Sequence, residues 1–294
     1  MSGTLATEDP VVLEFAESRL RHWLDAIDSA CNRFRGDSEI SQLNNSSTRS
    51  ASVSPVFELA LASAIRASDA TEGLCDPTVL PALLALGYRD DYAQLLNQDH
   101  PAPICSFPTP GVGAITLDPM THTVTLAPGC QLDLGASAKA LAADLIADDV
   151  ATKCGVVVEI GGDVAVRGQS PDGQWVIGIS DRLTLTGREP RIYVQGGGIA
   201  TSSCTTRVWQ VGHQTVNHII DPRSGTFAQG PYATATVAAD SCATANAFAT
   251  AALLWGEPAG YHIAQAGWSA RLVRHDGTIE FVGGWPTEEG VAPC

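Results

Sequence analysis

Apolar residues recur at three- and four-residue steps in four parts of the chain, the spacing of one buried helix face. The stretches that show this spacing are about 10–34, 57–70, 137–150 and 243–254. Each is long enough for a helix of several turns, and Pro55 stands just before the second, a position that proline favours at a helix start. The pattern therefore predicts four principal helices.

The segment between the first two helices is polar, from Gly36 to Asn45. Asp37 and Ser38 are residue types whose side chains accept hydrogen bonds from the first amides of a helix. We interpret the segment as a loop or as a short capped helical turn.

Short runs rich in β-branched residues replace the helical pattern after the third helix, separated by Gly, Pro or Asp. They cover 156–160, 164–166, 175–179, 191–195, 206–211, 218–220 and 233–238. Two hairpins are predicted in addition, one at 114–126 and one around 275–277. Helices thus bracket a strand-rich middle, which predicts an α+β fold with a mixed or antiparallel sheet.

Composition excludes several classes of protein. With 45% apolar and 17% charged residues the chain is typical of a globular protein. Its net charge of −15 repels polyanions, which disfavours a nucleic-acid or anionic-membrane partner.

No apolar run reaches the roughly 18 residues of a membrane span. The start lacks signal-peptide features, so a cytoplasmic protein is expected unless a leader was removed, and eight cysteines without a C-x-x-C pair indicate free thiols.

Two glycine clusters allow more than one interpretation. Gly161-Gly162 precedes Asp163 between two predicted strands, and Gly196-Gly197-Gly198 ends a third. Such glycines either form a turn with positive φ or let a ligand approach the backbone, and the turn is the favoured interpretation. Neither cluster matches a standard nucleotide-binding fingerprint.

Three further segments contain residues that could bind a ligand or take part in catalysis. The run from Asp133 to Lys139 leads into a helix. Its backbone amides and the lysine could bind an anion, or the run is an ordinary strand-to-helix turn with a surface lysine. His218 is predicted on a strand, as a structural or a catalytic histidine, before a turn that contains Asp221. Asn246 and Thr250 lie one helical turn apart and share a face, which suits a hard cation or simply a polar edge.

Taken in order, seven segments resemble the ApbE family, the flavin transferases that move FMN from FAD onto a threonine of an acceptor protein. The segments are 34–44 (FRGDSEISQLN), 73–83 (GLCDPTVLPAL), 132–144 (LDLGASAKALAAD), 158–168 (VEIGGDVAVRG), 199–202 (IATS), 218–225 (HIIDPRSG) and 243–252 (ATANAFATAA). The resemblance covers nearly the whole chain. It implies a single domain over 1–294. The stretch at about 88–113 is rich in Pro and Asp and has no periodicity, so it is predicted as an irregular excursion.

The resemblance also implies roles for individual residues. The positions implied to bind FAD are Phe34, Leu74, Cys75, Asp76, Asp133 and Lys139. The carbonyl of Ala136 and the side chains of Asn246 and Thr250 match ligands of a catalytic Mg²⁺, and His218 matches a general base. The implied reaction transfers FMN from FAD to a threonine and releases AMP.

One departure from the family pattern bears directly on the metal. Asn246 stands where the family carries an aspartate, so one ligand loses its charge and weaker Mg²⁺ binding is expected. This favours an alternative function, that of an FAD-binding protein with weak or lost transfer. FAD pyrophosphatase activity, with water in place of threonine, and a structural role without flavin remain further alternatives.

Overall fold

The computed structural model describes residues 3–7, 9–96, 106–170, 172–181, 189–286 and 288. The chain forms two compact units. The first comprises Met1–Leu24, Lys139–Thr206 and Pro231–Cys294, and the second comprises Asp25–Ala138 and Arg207–Gly230.

The strands are, in chain order, β1 Thr4–Thr7, β2 Ser50–Ser52, β3 Ile115–Asp118, β4 Thr123–Leu126, β5 Val156–Ile160, β6 Asp163–Arg167, β7 Trp175–Gly178, β8 Arg191–Val194, β9 Gly197–Ser203, β10 Val208–Val211, β11 Gln214–Asn217, β12 Ile220–Asp221, β13 Thr226–Phe227, β14 Tyr232–Ala239, β15 Ser269–Arg274 and β16 Ile279–Val282. The α-helices are α1 Leu13–Cys31, α2 Glu39–Asn45, α3 Pro55–Ala70, α4 Leu80–Ala85, α5 Tyr92–Leu95, α6 Ser137–Ala151, α7 Cys242–Trp255 and α8 Ala259–Gln265.

An antiparallel sheet of seven strands forms the centre of the first unit, in the order β1-β5-β6-β9-β14-β15-β16. The turn between β5 and β6 consists of Gly161 and Gly162, with φ of 64° and 94°, while Ile160 pairs with Asp163. Two consecutive residues with positive φ match the twist of a two-residue hairpin. The turn predicted at this glycine pair is therefore present.

Helix α7 packs on β9 and β14. It is buried on nearly its whole circumference, as expected of a helix that is apolar all round. At Gly198 a Cβ would lie 2.1 Å from the amide nitrogen of Cys242, so only glycine permits this close approach of β9 to the start of α7.

A carboxylate on α6 accepts two hydrogen bonds from α1 within the first unit. Asp149 Oδ2 accepts from Trp23 Nε1 and from Arg19 Nε, both at 2.7 Å. Burial alone raises the pKa of Asp149, but the hydrogen bonds from Trp23 and Arg19 outweigh it and the pKa is lowered. These bonds therefore stabilise the folded chain while Asp149 is ionised.

We expect Asp149→Ala to lower the free energy of unfolding by about 1 to 2 kcal/mol at pH 7, since the bonds involve a charged, partly exposed acceptor. Because the folded pKa lies below the unfolded value, this stabilisation is present above the unfolded pKa and is lost as the pH falls through the folded pKa. Urea unfolding of parent and variant at pH 7 and pH 3 measures it. Asp25→Ala, at an exposed position, is the control, and a difference unchanged by pH would contradict the assignment.

The second unit combines a three-stranded sheet, in the order β2-β4-β3, with the hairpins β10-β11 and β12-β13. One of its hydrophobic clusters consists of Ala82, Leu83, Leu86, Tyr88, Leu95, Trp209, Val211, Val216, Ile220 and Phe227. Ser38 caps α2, because its side chain accepts from the amide of Ser41. The polar segment is thus a short capped helix, one of the two structures expected.

The α+β class and the four principal helices are confirmed, and the sheet is antiparallel. Other expectations were wrong or incomplete. The second glycine cluster, Gly196-Gly197-Gly198, does not end a strand, since β8 ends at Val194 and β9 begins at Gly197. Part of the predicted excursion, 97–105, lies outside the described residues, and before it the chain forms α5. The single-domain assignment stays a prediction. None of the described helices is long and apolar enough to cross a membrane.

Candidate functional site

The candidate residues fall into both units. Phe34, Leu74, Cys75, Asp76, Asp133, Ala136 and His218 belong to the second unit, and Lys139, Asn246 and Thr250 belong to the first.

Asp133 is held by a buried ion pair. Arg33 Nε lies 2.7 Å from Asp133 Oδ2, and the two side chains are 7% and 11% exposed. The amide of Gly135 donates to Asp133 Oδ1 at 2.6 Å. Both carboxylate oxygens therefore have a donor, and these contacts tie Asp133 to Arg33 and to the loop before α6.

The guanidinium of Arg33 also stacks on two aromatic rings. It lies 4.1 Å from the ring centroid of Phe34 and 4.7 Å from that of Tyr88, within the range of a cation–π contact. Arg33 Nη2 is buried and has no hydrogen-bond partner among the described residues. Arg33 was not predicted from the sequence, although its position directly before Phe34 in the matching segment was an available signal.

Asp76 carries a second buried carboxylate, which accepts three hydrogen bonds. The amide and hydroxyl of Thr78 donate to Oδ1 at 2.8 Å, and the hydroxyl of Thr109 donates to Oδ2 at 2.7 Å. The neighbours Leu74 and Cys75 are buried as well. Burial, together with the charge of Asp76, raises the pKa of the Cys75 thiol to about 12, so Cys75 is not a nucleophile at neutral pH.

Backbone hydrogen bonds join distant segments of the second unit. The amide of Asp133 donates to the carbonyl of Pro77 at 2.8 Å, and the amide of Thr109 donates to the carbonyl of Pro222 at 3.2 Å. The segment with Asp76 is thereby joined to the Asp133 loop and to the turn after β12.

His218 is not on a strand, and this prediction was wrong. It is half-buried in the short connection between β11 and β12. The neighbouring Asn217 closes this connection, since its Nδ2 donates to the carbonyl of Ala228 and its Oδ1 accepts from the amide of Ile219, both at 3.0 Å. Two hydrogen bonds of the Asn217 side-chain amide thus hold this connection between the strands. Asp221 lies in the predicted turn that follows and accepts backbone hydrogen bonds there.

Lys139 lies in the first turn of α6, beside the glycine turn of the β5-β6 hairpin. A Cβ at Gly161 would lie 3.7 Å from Lys139 Cδ, so the aliphatic part of the lysine passes close to this turn. Glu159 Oε1 accepts from the amide of Gly162 at 2.7 Å. The carboxylate of Glu159 thus closes the turn. Ala136, just before α6, is exposed.

Helix α7 buries the two polar residues that the sequence analysis placed on one face. Asn246 is 7% exposed and Thr250 is 9% exposed. The Nδ2 of Asn246 donates to Asp163 Oδ1 at 3.0 Å, and the hydroxyls of Thr250 and Ser202 lie 3.0 Å apart. Asn246 Oδ1, in contrast, is buried and has no hydrogen-bond partner among the described residues.

The start of α7 is held by a carboxylate from α6. Asp144 accepts from the amides of Cys242 and Ala243 at 3.0 and 2.9 Å and pairs with Arg167 at 2.9 Å. Burial raises the pKa of Asp144, although these bonds oppose the increase. A carboxylate at a helix N-terminus satisfies amides that otherwise lack a partner, so Asp144 fixes the position of the helix that carries Asn246.

The surroundings of Asn246 fit a hard cation. An unpaired buried amide oxygen costs free energy, and an oxygen-seeking cation such as Mg²⁺ would satisfy it. Thr250 adds a hydroxyl oxygen one helical turn later. Among the described residues no group of three His, Cys, Asp or Glu side chains is placed to hold a metal, so such a site would depend on neutral oxygens with few carboxylates.

Comparison with known proteins identifies similar sequences over most of the chain. The ApbE family model matches residues 3–272. A protein named FAD:protein FMN transferase from Vibrio cholerae is 27% identical over 257 residues, which is 85% of this chain and 76% of the relative. A protein of the same name from Chlamydia muridarum is 30% identical over 243 residues, 80% of this chain and 74% of the relative.

A crystal structure of the ApbE protein from Thermotoga maritima has the same fold. Its TM-score is 0.79 at 24% sequence identity, and the alignment covers 95% of this chain and 92% of that one. The chain belongs to the ApbE family.

Proposed function

We propose that the protein transfers FMN from FAD to a threonine of an acceptor protein, with Mg²⁺, and releases AMP. The observation that carries this proposal is the family match over residues 3–272, which includes every segment that contributes a candidate site residue. Relatives at 27% and 30% identity are named FAD:protein FMN transferase.

Lys139 is proposed to bind the diphosphate of FAD. Its ammonium group compensates anionic charge in a protein with a net charge of −15, where a diphosphate would otherwise be repelled. Phe34, a residue that is 44% exposed, is proposed to offer an aromatic surface to the flavin. Arg33 and Asp133 hold the backbone around it.

His218 is proposed as the general base. It accepts the proton of the acceptor threonine as the threonine oxygen forms a bond to the FMN phosphorus. The bond from that phosphorus to the bridging oxygen breaks, and AMP leaves with the electron pair. Transfer therefore consumes FAD and the hydroxyl, and yields the phosphoester, AMP and a proton on His218.

The proposed Mg²⁺ ligands of the first unit are Asn246 Oδ1 and Thr250 Oγ1. For the carbonyl of Ala136, in the second unit, the ligand role stays a prediction from the family resemblance. When bound, Mg²⁺ supplies positive charge that neutralises the diphosphate. Thr250 and Asn246 are held by a buried helix whose start is fixed by Asp144, so the backbone that carries these side chains is already positioned.

Incubation with FAD, Mg²⁺ and a flavin-acceptor domain tests the proposal. We expect a covalent fluorescent band of the acceptor on a denaturing gel, lost when EDTA replaces Mg²⁺. The matched control is the same acceptor with its target threonine replaced by alanine, which should stay unlabelled because it lacks the attacking hydroxyl.

The same reaction separates the alternatives. Conversion of FAD to FMN and AMP without labelling would identify a pyrophosphatase, and FAD binding without either product would identify a binding protein. Either result contradicts the proposed transfer. Asn246 is the feature that favours the binding protein, since it removes a charged metal ligand.

A further inference from the structure

The carboxylate bonded to Asn246 is that of Asp163. Its Oδ1 accepts from Asn246 Nδ2 at 3.0 Å, although the two residues are 83 positions apart. Asp163 is the first residue of β6, directly after the Gly161-Gly162 turn, and is 3% exposed. A tight turn and a buried helix thus hold the two side chains together, where water screens the charge of Asp163 little.

The cation site proposed on α7 needs negative charge. An amide oxygen, a hydroxyl and a backbone carbonyl are neutral ligands, and Mg²⁺ bound by protein normally has one or two carboxylates. The charge of Asp163 acts on a residue of this helix. The pKa of the Cys242 thiol is raised first by burial and then by the negative charge of Asp163. Asp163 therefore stands where the missing charge is required.

The spacing of the two side chains also suits shared coordination. Adjacent oxygen ligands of an octahedral Mg²⁺, each about 2.1 Å from the metal, lie about 3 Å apart. Asn246 Nδ2 and Asp163 Oδ1 are 3.0 Å apart. A half-turn of the Asn246 amide exchanges Oδ1 with Nδ2 and leaves the helix where it is.

We propose that Asp163 supplies the carboxylate of the cation site on α7. The charge that the family pattern has at position 246 is then provided from β6, and without a cation the Asn246 amide satisfies Asp163 by donating to it. This inference rests on the proposed function for the existence of the cation site, and it extends that function by adding a ligand.

Mn²⁺ binding to the whole chain without FAD tests the inference. Electron paramagnetic resonance measures free Mn²⁺, and Mg²⁺ is then added as a competitor. We expect Asp163→Asn to weaken Mn²⁺ binding at least about tenfold, because a unit charge near the ion is lost. Asp172→Asn, at an exposed carboxylate, is the control and should bind like the parent.

Exchange of the two groups gives the sharper result. In the double variant Asp163→Asn/Asn246→Asp the number of carboxylates equals that of the parent, so affinity should return to within about threefold of it. Asn246→Asp alone has two adjacent carboxylates and should bind Mn²⁺ more tightly than the double variant. Equal affinity of these two variants, or parental affinity of Asp163→Asn, would overturn the inference.

Thermal unfolding keeps the test valid if Asp163→Asn does not fold. In Asn246→Asp two buried carboxylates repel each other at about 3 Å, so in EDTA its Tm should fall below that of the parent and Mn²⁺ should restore it. A Tm in EDTA equal to that of the parent contradicts the inference.

If acceptor labelling occurs while Asp163→Asn binds Mn²⁺ normally, the inference alone fails. If the parent binds no Mn²⁺ with or without FAD, the metal requirement of the proposed function fails as well.

Discussion

Replacement of His218 by alanine should lower the rate of acceptor labelling by about 10²- to 10⁴-fold, the usual contribution of a general base. Binding of FAD should stay within about twofold of the parent, since a base acts in the transition state rather than in ground-state binding. Single-turnover labelling gives the rate, and calorimetric titration gives the Kd for FAD. A loss of kcat without a change in Kd identifies the base.

His213 offers a matched control, because it is an exposed histidine in the turn between β10 and β11. His213→Ala should label at the parental rate. Should His218→Ala also label at the parental rate across the pH range, His218 is structural and the base lies elsewhere. An equal loss of FAD affinity and rate would instead indicate that the connection closed by Asn217 has been disturbed.

Replacement of Lys139 by alanine should raise the Kd for FAD by about 10- to 100-fold. A charge-assisted hydrogen bond to an anion is worth about 1.5 to 3 kcal/mol, which corresponds to a factor of this size. Calorimetric titration with FAD measures the effect. Raising the salt concentration should reduce the difference between parent and variant, because screening weakens the ammonium–diphosphate attraction.

The chain contains two lysines, and the other one provides the control. Lys153 is exposed just after α6, so Lys153→Ala removes the same charge from the protein without touching the first turn of that helix. Its Kd for FAD should match the parent. If the two alanine variants bind FAD equally well, Lys139 does not contact the diphosphate.

Much of the fold could be predicted because its determinants are local. The periodicity of α6 and α7, the cap at Ser38 and the two-residue turn at Gly161-Gly162 each depend on residues a few positions apart. The connection at His218 was misassigned for the opposite reason. Its conformation depends on Asn217 bonds to Ala228, eleven residues away, which no period reveals.

The candidate site was predictable only as a set of segments. The order of these segments along the chain indicated which residues to consider as site residues, and the family match covers all of the segments. Arg33 was missed, since its importance comes from a pair with Asp133, a hundred positions later, and from stacking on Tyr88. The roles of His218, Lys139 and Asn246 in FAD chemistry stay predictions.

By itself the sequence determined the α+β class, the main helices and the family, since hydrophobic periodicity, turn chemistry and motif order are all properties of the linear chain. Tertiary structure alone decided which polar groups meet. Asp144 reaches the start of α7, and Asp163 reaches Asn246, because strand register and helix packing bring residues about a hundred positions apart to hydrogen-bond distance. The charge of a buried site depends on those encounters. Only folding buries Asn246 Oδ1 without a hydrogen-bond partner among the described residues.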